Sequence, residues 1–153
     1  MPLTIIDSLQ TLPADDWDGL LIQPQPFLRH AFLSALEDSG SVGGCSGWQP
    51  SHRLWCDEHG RVQAALPAYL KQHSYGEYVF DHAWADACRR AGIGYYPKLL
   101  GAVPFSPVSG ARLLGDARAA GELLDALTAG LSQEALSSLH INFTSPACDA
   151  VMA

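Results

Sequence analysis

Between Lys71 and Trp84 the chain reads Lys-Gln-His-Ser-Tyr-Gly-Glu-Tyr-Val-Phe-Asp-His-Ala-Trp. That is a denser set of acid, base and aromatic side chains than a turn between two elements requires. Glu77, Asp81 and His82 are the candidate bases here, able to take up the proton that acid–base chemistry must move. Asp81 directly precedes a helix-forming run, and a carboxylate engaged by first-turn N–H groups has a lowered pKa, which suits a cap better than a base. Glu77 and His82 are therefore the candidate catalytic residues. Each also has a plainer reading: a carboxylate beside Lys71 or Lys98 can be an ion pair, and a histidine near Trp84 can be a packed, hydrogen-bonded side chain. Tyr75, Tyr78, Asp81 and Trp84 are candidate substrate-binding residues, although aromatic rings also pack cores. Lys98 and Arg112, at the two ends of a strand–turn segment, are candidates to bind a phosphate or carboxylate, against simple solvation of surface charge.

Charge sets this stretch apart. The chain of 153 residues carries a formal charge of −7, yet Lys71 to Arg112 is net positive and holds both lysines of the protein. It is also rich in aromatics, from Tyr75 to Phe105. A pocket for an anionic or peptide-like ligand has this composition, and so does an aromatic core. The overall acidity argues against a general nucleic-acid binder, which needs a basic stripe to neutralise phosphates. Cys45, Cys56, Cys88 and Cys148 are irregularly spaced, without the C-x-x-C and histidine pattern of a zinc site, so no metal site is expected. No apolar run approaches the ~20 residues of a membrane span and the start lacks a basic leader, so the expected location is the cytoplasm.

The elements that position these residues follow from periodicity. Residues 13–19 read as a capped turn or short helix start. A helix is expected over 27–38, with Gly40 as its stop, followed by a glycine-rich loop to Gly47. Two strands, 52–56 and 62–70, flank a turn at Asp57-Glu58-His59-Gly60 and form a hairpin. Asp81 caps a short helix over 82–91 that ends at Gly92. A strand covers 95–103, and Asp116 caps the longest helix, 117–136, with Ala120, Leu123, Leu124, Leu127 and Leu131 as its apolar stripe. A strand over 139–143 follows, and no further element is expected. The order predicts a single domain over residues 1–153, of α/β (α+β) class. Its sheet is mixed and mostly antiparallel, is flanked by helices, and joins the last two strands by a helical crossover.

Nucleophile-elbow, Walker, H-E-x-x-H and kinase signatures are absent. Arg89-Arg90-Ala91-Gly92-Ile93-Gly94 matches R-x-x-G-x-G, a coenzyme A pyrophosphate loop, but such a loop must open a helix, and here it closes one. A broader likeness is carried by Gly40-Ser41-Val42, Trp48-Gln49-Pro50, Pro67 to Lys71, Ser74 to Ala85, Tyr95 to Leu99, and Pro104 to Val108 with Gly110. In these segments the chain resembles the bacterial predicted N-acyltransferases of the GNAT superfamily, peptidoglycan biosynthesis or recognition proteins related to the Fem-type aminoacyl transferases. The likeness covers about residue 25 to 143.

The resemblance implies acyl or aminoacyl transfer to an amine of a cell-wall-type acceptor, with acyl-CoA or aminoacyl-tRNA as donor. Such a reaction needs a base for the amine proton and groups that hold both substrates in line. Family members run to roughly twice this length, so the resemblance implies a GNAT-like N-terminal half that supplies the acceptor side and lacks the donor-binding half. The alternatives are a non-catalytic module that binds an anionic peptidoglycan precursor, and an inactive truncated fragment that self-associates through its last strand. The corresponding partners are a peptidoglycan-precursor or small-molecule acceptor, a missing second half, or a second copy in a homodimer.

Overall fold

The computed structural model describes residues 2–153. Strand β1 (Leu3–Ile6) pairs with one arm of a long hairpin that organises everything else. The arms, residues 48–56 and 62–71, keep one antiparallel register along most of their length, with Trp48 opposite Lys71 and Leu54 opposite Ala65. The ladder is interrupted in the middle. Pro67 has no N–H to donate, and the next N–H, of Ala68, turns to His52 Nδ1 at 3.1 Å. The hairpin thus divides into β2 (Trp48–Pro50) and β3 (His52–Cys56) on one arm, and β4 (Val62–Leu66) and β5 (Ala68–Lys71) on the other.

Among the described residues, the two halves of the hairpin seed two four-stranded sheets. The first has the order β1-β3-β4-β7, with β7 at Leu114–Gly115. The second runs β2-β5-β6-β8, with β6 at Lys98–Gly101 and β8 at Leu139–Ile141. Strand pairs are antiparallel except β6 with β8. The expected α+β class and the helical crossover before the last strand are both present.

Among the described residues, five α-helices complete the architecture. Short α1 (Ala14–Asp18) and α2 (His30–Asp38) cover the first sheet around Trp17, Leu28, Leu33 and Leu54. Helix α3 (His82–Arg90) buries none of its residues. The long helix α4 (Ala117–Gly130) does the opposite. Asp116 caps it by accepting the Ala119 N–H (2.9 Å). Ala119, Ala120, Leu123 and Leu127 recur at helical spacing and pack on Ala64 and Leu66 of the first sheet and Leu99 of the second. Each fully buried leucine there is worth about 2 kcal/mol of apolar burial.

Several sequence-based boundaries move for local reasons. The helix expected from Phe27 starts with a 3₁₀ turn, Pro26–Leu28, and is α-helical only from His30. The strand expected over 62–70 is cut at Pro67, and that over 95–103 shrinks to β6, leaving Tyr95 and Tyr96 outside the ladder. The helix expected to reach residue 136 ends at Gly130 and gives way to a 3₁₀ turn, Leu131–Gln133. After β8, where no element was expected, α5 (Pro146–Met152) forms. Its signals are ordinary: Ser145 accepts the Cys148 N–H (3.4 Å) as cap, and Pro146 occupies the first turn, where its missing N–H costs nothing. Strands β1 and β7 were not legible either.

Candidate functional site

Register creates the site. Trp48 lies opposite Lys71 and Lys71 opposite Lys98, so one row across the second sheet reads Trp-Lys-Lys on a single face. Both lysines are 0 % exposed. Like charges directly opposite each other in a sheet are destabilising, and burial removes the solvent that would screen them.

The loop after β5 supplies the opposite charge. It folds back so that Lys98 Nζ donates to Ser74 Oγ (2.9 Å), Glu77 Oε2 (2.8 Å) and Asp81 Oδ2 (2.8 Å), which uses all of its N–H groups. Lys71 Nζ donates to the Tyr75 carbonyl (3.2 Å), stands 3.8 Å over the Trp48 ring, and lies 3.9 Å from Glu77 Oε1. Glu77 therefore bridges the two ammonium groups. Tyr95 donates to Asp81 Oδ2 (2.7 Å), and the Tyr96 and Ser74 hydroxyls are hydrogen-bonded at 2.8 Å. Two cations and two carboxylates balance. The fold-back depends on Gly76, at φ +79°, where a Cβ would come within 2.9 Å of the Phe105 ring.

Burial and proximity tune these groups in different directions. Burial, with help from Lys98, lowers the Lys71 pKa to about 8 against the opposing pull of Glu77. Burial pushes the Glu77 carboxyl up, and the attraction of Lys98 and Lys71 only partly offsets it. Burial also works upward on Asp81, but the Lys98 and Tyr95 hydrogen bonds win and hold it at about 2. Lys71 and Glu77 thus approach each other in proton affinity, whereas Asp81 stays a firm anion. Glu77 Oε1 and Asp81 Oδ1 are buried without a hydrogen-bond donor.

Of the residues singled out by sequence, Glu77, Asp81 and Lys98 come together, and they do so in a sealed cluster. The Glu77 and Lys98 side chains are both 0 % exposed. Asp81 stands at the N-cap position of α3, but its side chain makes no capping hydrogen bond, because Lys98 and Tyr95 claim it. The cap assignment is corrected accordingly. His82, the first residue of α3, is exposed, with its ring 5.9 Å from that of Tyr75. Tyr75, Tyr78 and Trp84 are exposed as well, at 69 %, 54 % and 71 %. The Tyr75 main chain is nonetheless fixed, since its carbonyl also accepts the Trp48 Nε1–H at 3.2 Å. Arg112 lies apart from the cluster, buried, and donates to the carbonyls of Asn142, Ala111 and Val108. The R-x-x-G-x-G match does close a helix, with Gly92 at φ +71° just beyond α3.

Sequence reasoning passed over Lys71, Trp48, Ser74, Tyr95 and Tyr96 as members of the site. The confinement of both lysines to this stretch was the available signal for Lys71. Nothing local marked the tyrosines, which reach the cluster only through tertiary folding. Among the described residues, no group of three or more His, Cys, Asp or Glu side chains is placed to hold a metal ion, and no helix is long and apolar enough to cross a membrane.

The sequence model of a FemAB-like family, described as peptidoglycan biosynthesis/recognition, matches residues 8–153. No curated protein and no solved structure matches the chain.

Proposed function

The chain belongs to the FemAB-like family of peptidoglycan biosynthesis and recognition, and we propose on that footing that it supplies the acceptor side of an N-acyl or aminoacyl transfer to an amine of a cell-wall peptide. The observation that carries this reading is the pinning of the aromatic segment: Glu77 and Asp81 anchor it to Lys71 and Lys98, while Tyr75, Tyr78 and Trp84 face outward. Buried ion pairs fix one conformation at some cost in stability, which suits a recognition surface that must be preorganised.

In this reading the exposed rings of Tyr75, Tyr78 and Trp84 stack on the acceptor. The acceptor nitrogen attacks the carbonyl carbon of the donor, the bond to the donor's carrier breaks with its electron pair leaving on the carrier's sulfur or oxygen, and the nitrogen's proton passes by way of His82, the exposed base of the segment, to that atom. Glu77, sealed from solvent, is a positioning residue rather than the base that touches substrate. Lys98 and Asp81 act in the same way. The donor, an acyl-CoA or an aminoacyl-tRNA, would be held by a second GNAT-like half outside these residues.

A second reading, recognition of an anionic precursor without catalysis, is favoured by one observation: the charged groups of the cluster with shifted proton affinities, Lys71, Glu77 and Asp81, are all buried. Calorimetry with a soluble muropeptide bearing a free amine, followed by mass spectrometry after addition of donor, separates the two. Binding that weakens about tenfold, ~1.4 kcal/mol, in Tyr75→Ala or Trp84→Ala supports both readings. A mass increase on the amine that His82→Ala abolishes supports transfer. Binding indifferent to both aromatic substitutions would sink either reading.

A further inference from the structure

Among the described residues, four long cationic side chains are fully buried: Arg53, Lys71, Lys98 and Arg112. Arg53 is held by both carboxylate oxygens of Glu134, and the lysines share Glu77 and Asp81. Arg112 differs, since it is 1 % exposed and forms no ion pair. Three of its five N–H groups go to main-chain carbonyls and two remain. A buried charge without a counter-charge is costly, so this arginine calls for an anion.

The surroundings of Arg112 say what else the anion must carry. Arg112 lines a cavity of about 350 Å³ together with Pro26, Phe27, Val103 and Val108. A deeper, mostly apolar cavity of about 180 Å³ adjoins it, walled by Leu20, Leu113, Ala120 and Val151. The two share Gln23, Gln25, Ala111 and Ser145, so they form one cleft with a charged outer lobe and an oily inner one.

We propose that this cleft binds a linear aliphatic carboxylate, with its hydrocarbon tail in the inner lobe and its carboxylate at the Arg112 end of the outer lobe, where it supplies the counter-charge that the buried guanidinium lacks. An apolar cavity of ~150 Å³ holds benzene, so the inner lobe accommodates a tail of about six carbons. The head is a monoanion rather than a phosphate dianion, because the carbonyls of Val108, Ala111 and Asn142 crowd the same guanidinium and repel excess negative charge. None of the cluster residues Lys71, Ser74, Glu77, Asp81 and Lys98 lines either lobe, so the site is independent of the proposed acceptor surface.

Titration calorimetry of the whole chain with butanoate, hexanoate, octanoate and dodecanoate tests the proposal. The dissociation constant is expected to fall about fourfold per added methylene until the inner lobe is full, then level off. Methyl hexanoate and hexylammonium, which keep the chain and lack the negative charge, bind at least ~10-fold more weakly than hexanoate if the arginine selects the head. Ala120→Leu, and Ala117→Leu on the exposed rim of the inner lobe, should abolish the chain-length dependence. Since Arg112 also ties three main-chain carbonyls, the ester comparison on the unaltered chain tests the charge without risk to folding. Equal affinity for acid and ester, or affinity that keeps rising through dodecanoate, overturns the proposal.

Discussion

Replacing Lys98 by methionine keeps the length and apolar stem of the side chain and deletes only the ammonium group. That group holds Ser74, Glu77 and Asp81 at 2.9, 2.8 and 2.8 Å. Its loss leaves two buried carboxylates facing one remaining cation, Lys71, which stands 3.9 Å from Glu77. Removing one partner of a buried pair costs about 3–5 kcal/mol, a large share of the roughly 5–15 kcal/mol that holds a domain folded. For a chain of this size that lowers Tm by roughly 6–20 °C. Urea and thermal unfolding of Lys98→Met measure it. Adding Asp81→Asn removes the stranded charge, leaves Glu77 to balance Lys71, and should return about half of the loss. The acid limb gives a second check. Asp81 is lowered from 3.8 to about 2, so the stability it confers is present above pH 3.8 and disappears as pH falls toward 2. Glu77 is raised, so its contribution has the opposite sign and is lost as pH rises through its folded value. Without Lys98 the acid step of Asp81 should shrink. A loss below ~1 kcal/mol, or no recovery in the double variant, would refute the view that this cluster pins the segment.

Lys71 titrates at about 8 in the folded chain against 10.5 ordinarily, so the unfolded chain holds the extra proton between those values and folding gains stability as pH rises through them. The urea midpoints of wild type and Lys71→Met should therefore diverge in favour of wild type from pH 8 to 9.5. Constant separation would contradict the depressed lysine. Trp84→Ala should change stability by no more than ~0.5 kcal/mol, because α3 buries none of its residues, and a larger change in a denaturant titration would mean the helix is packed. Gly115→Ala should cost about 1–3 kcal/mol, since φ is +103° and the new Cβ would run into the Gln63 carbonyl and Ala64 across the β4–β7 pair. A neutral thermal melt would show that β7 can shift aside.

Much of the architecture was readable from local chemistry. The stripe Ala120, Leu123, Leu127 and the cap Asp116 announced α4, and the turn before Arg61 announced the hairpin, because period and capping are properties of short segments. Pro67 was visible too, but its effect was not: the loss of one N–H divides a hairpin between two sheets only when other strands are there to pair with each part. Strands β1 and β7 have four and two residues, too few for a periodic signal, and form because the edges of β3 and β4 accept them.

The candidate site divides in the same way. Sequence alone identified a stretch, Lys71 to Arg112, in which cations, carboxylates and aromatics concentrate, and it named Glu77, Asp81 and Lys98 within it. Which of them touch was decided by the register of β5 and β6, which sets Lys71 opposite Lys98 and obliges the following loop to bring carboxylates to them. The same tertiary choice sealed Glu77, exposed His82, drew Asp81 away from its helix, and left Arg112 buried beside an apolar cleft. Composition is carried by the chain itself, whereas contact, burial and proton affinity depend on neighbours distant in sequence, and those neighbours exist only once the two sheets have formed.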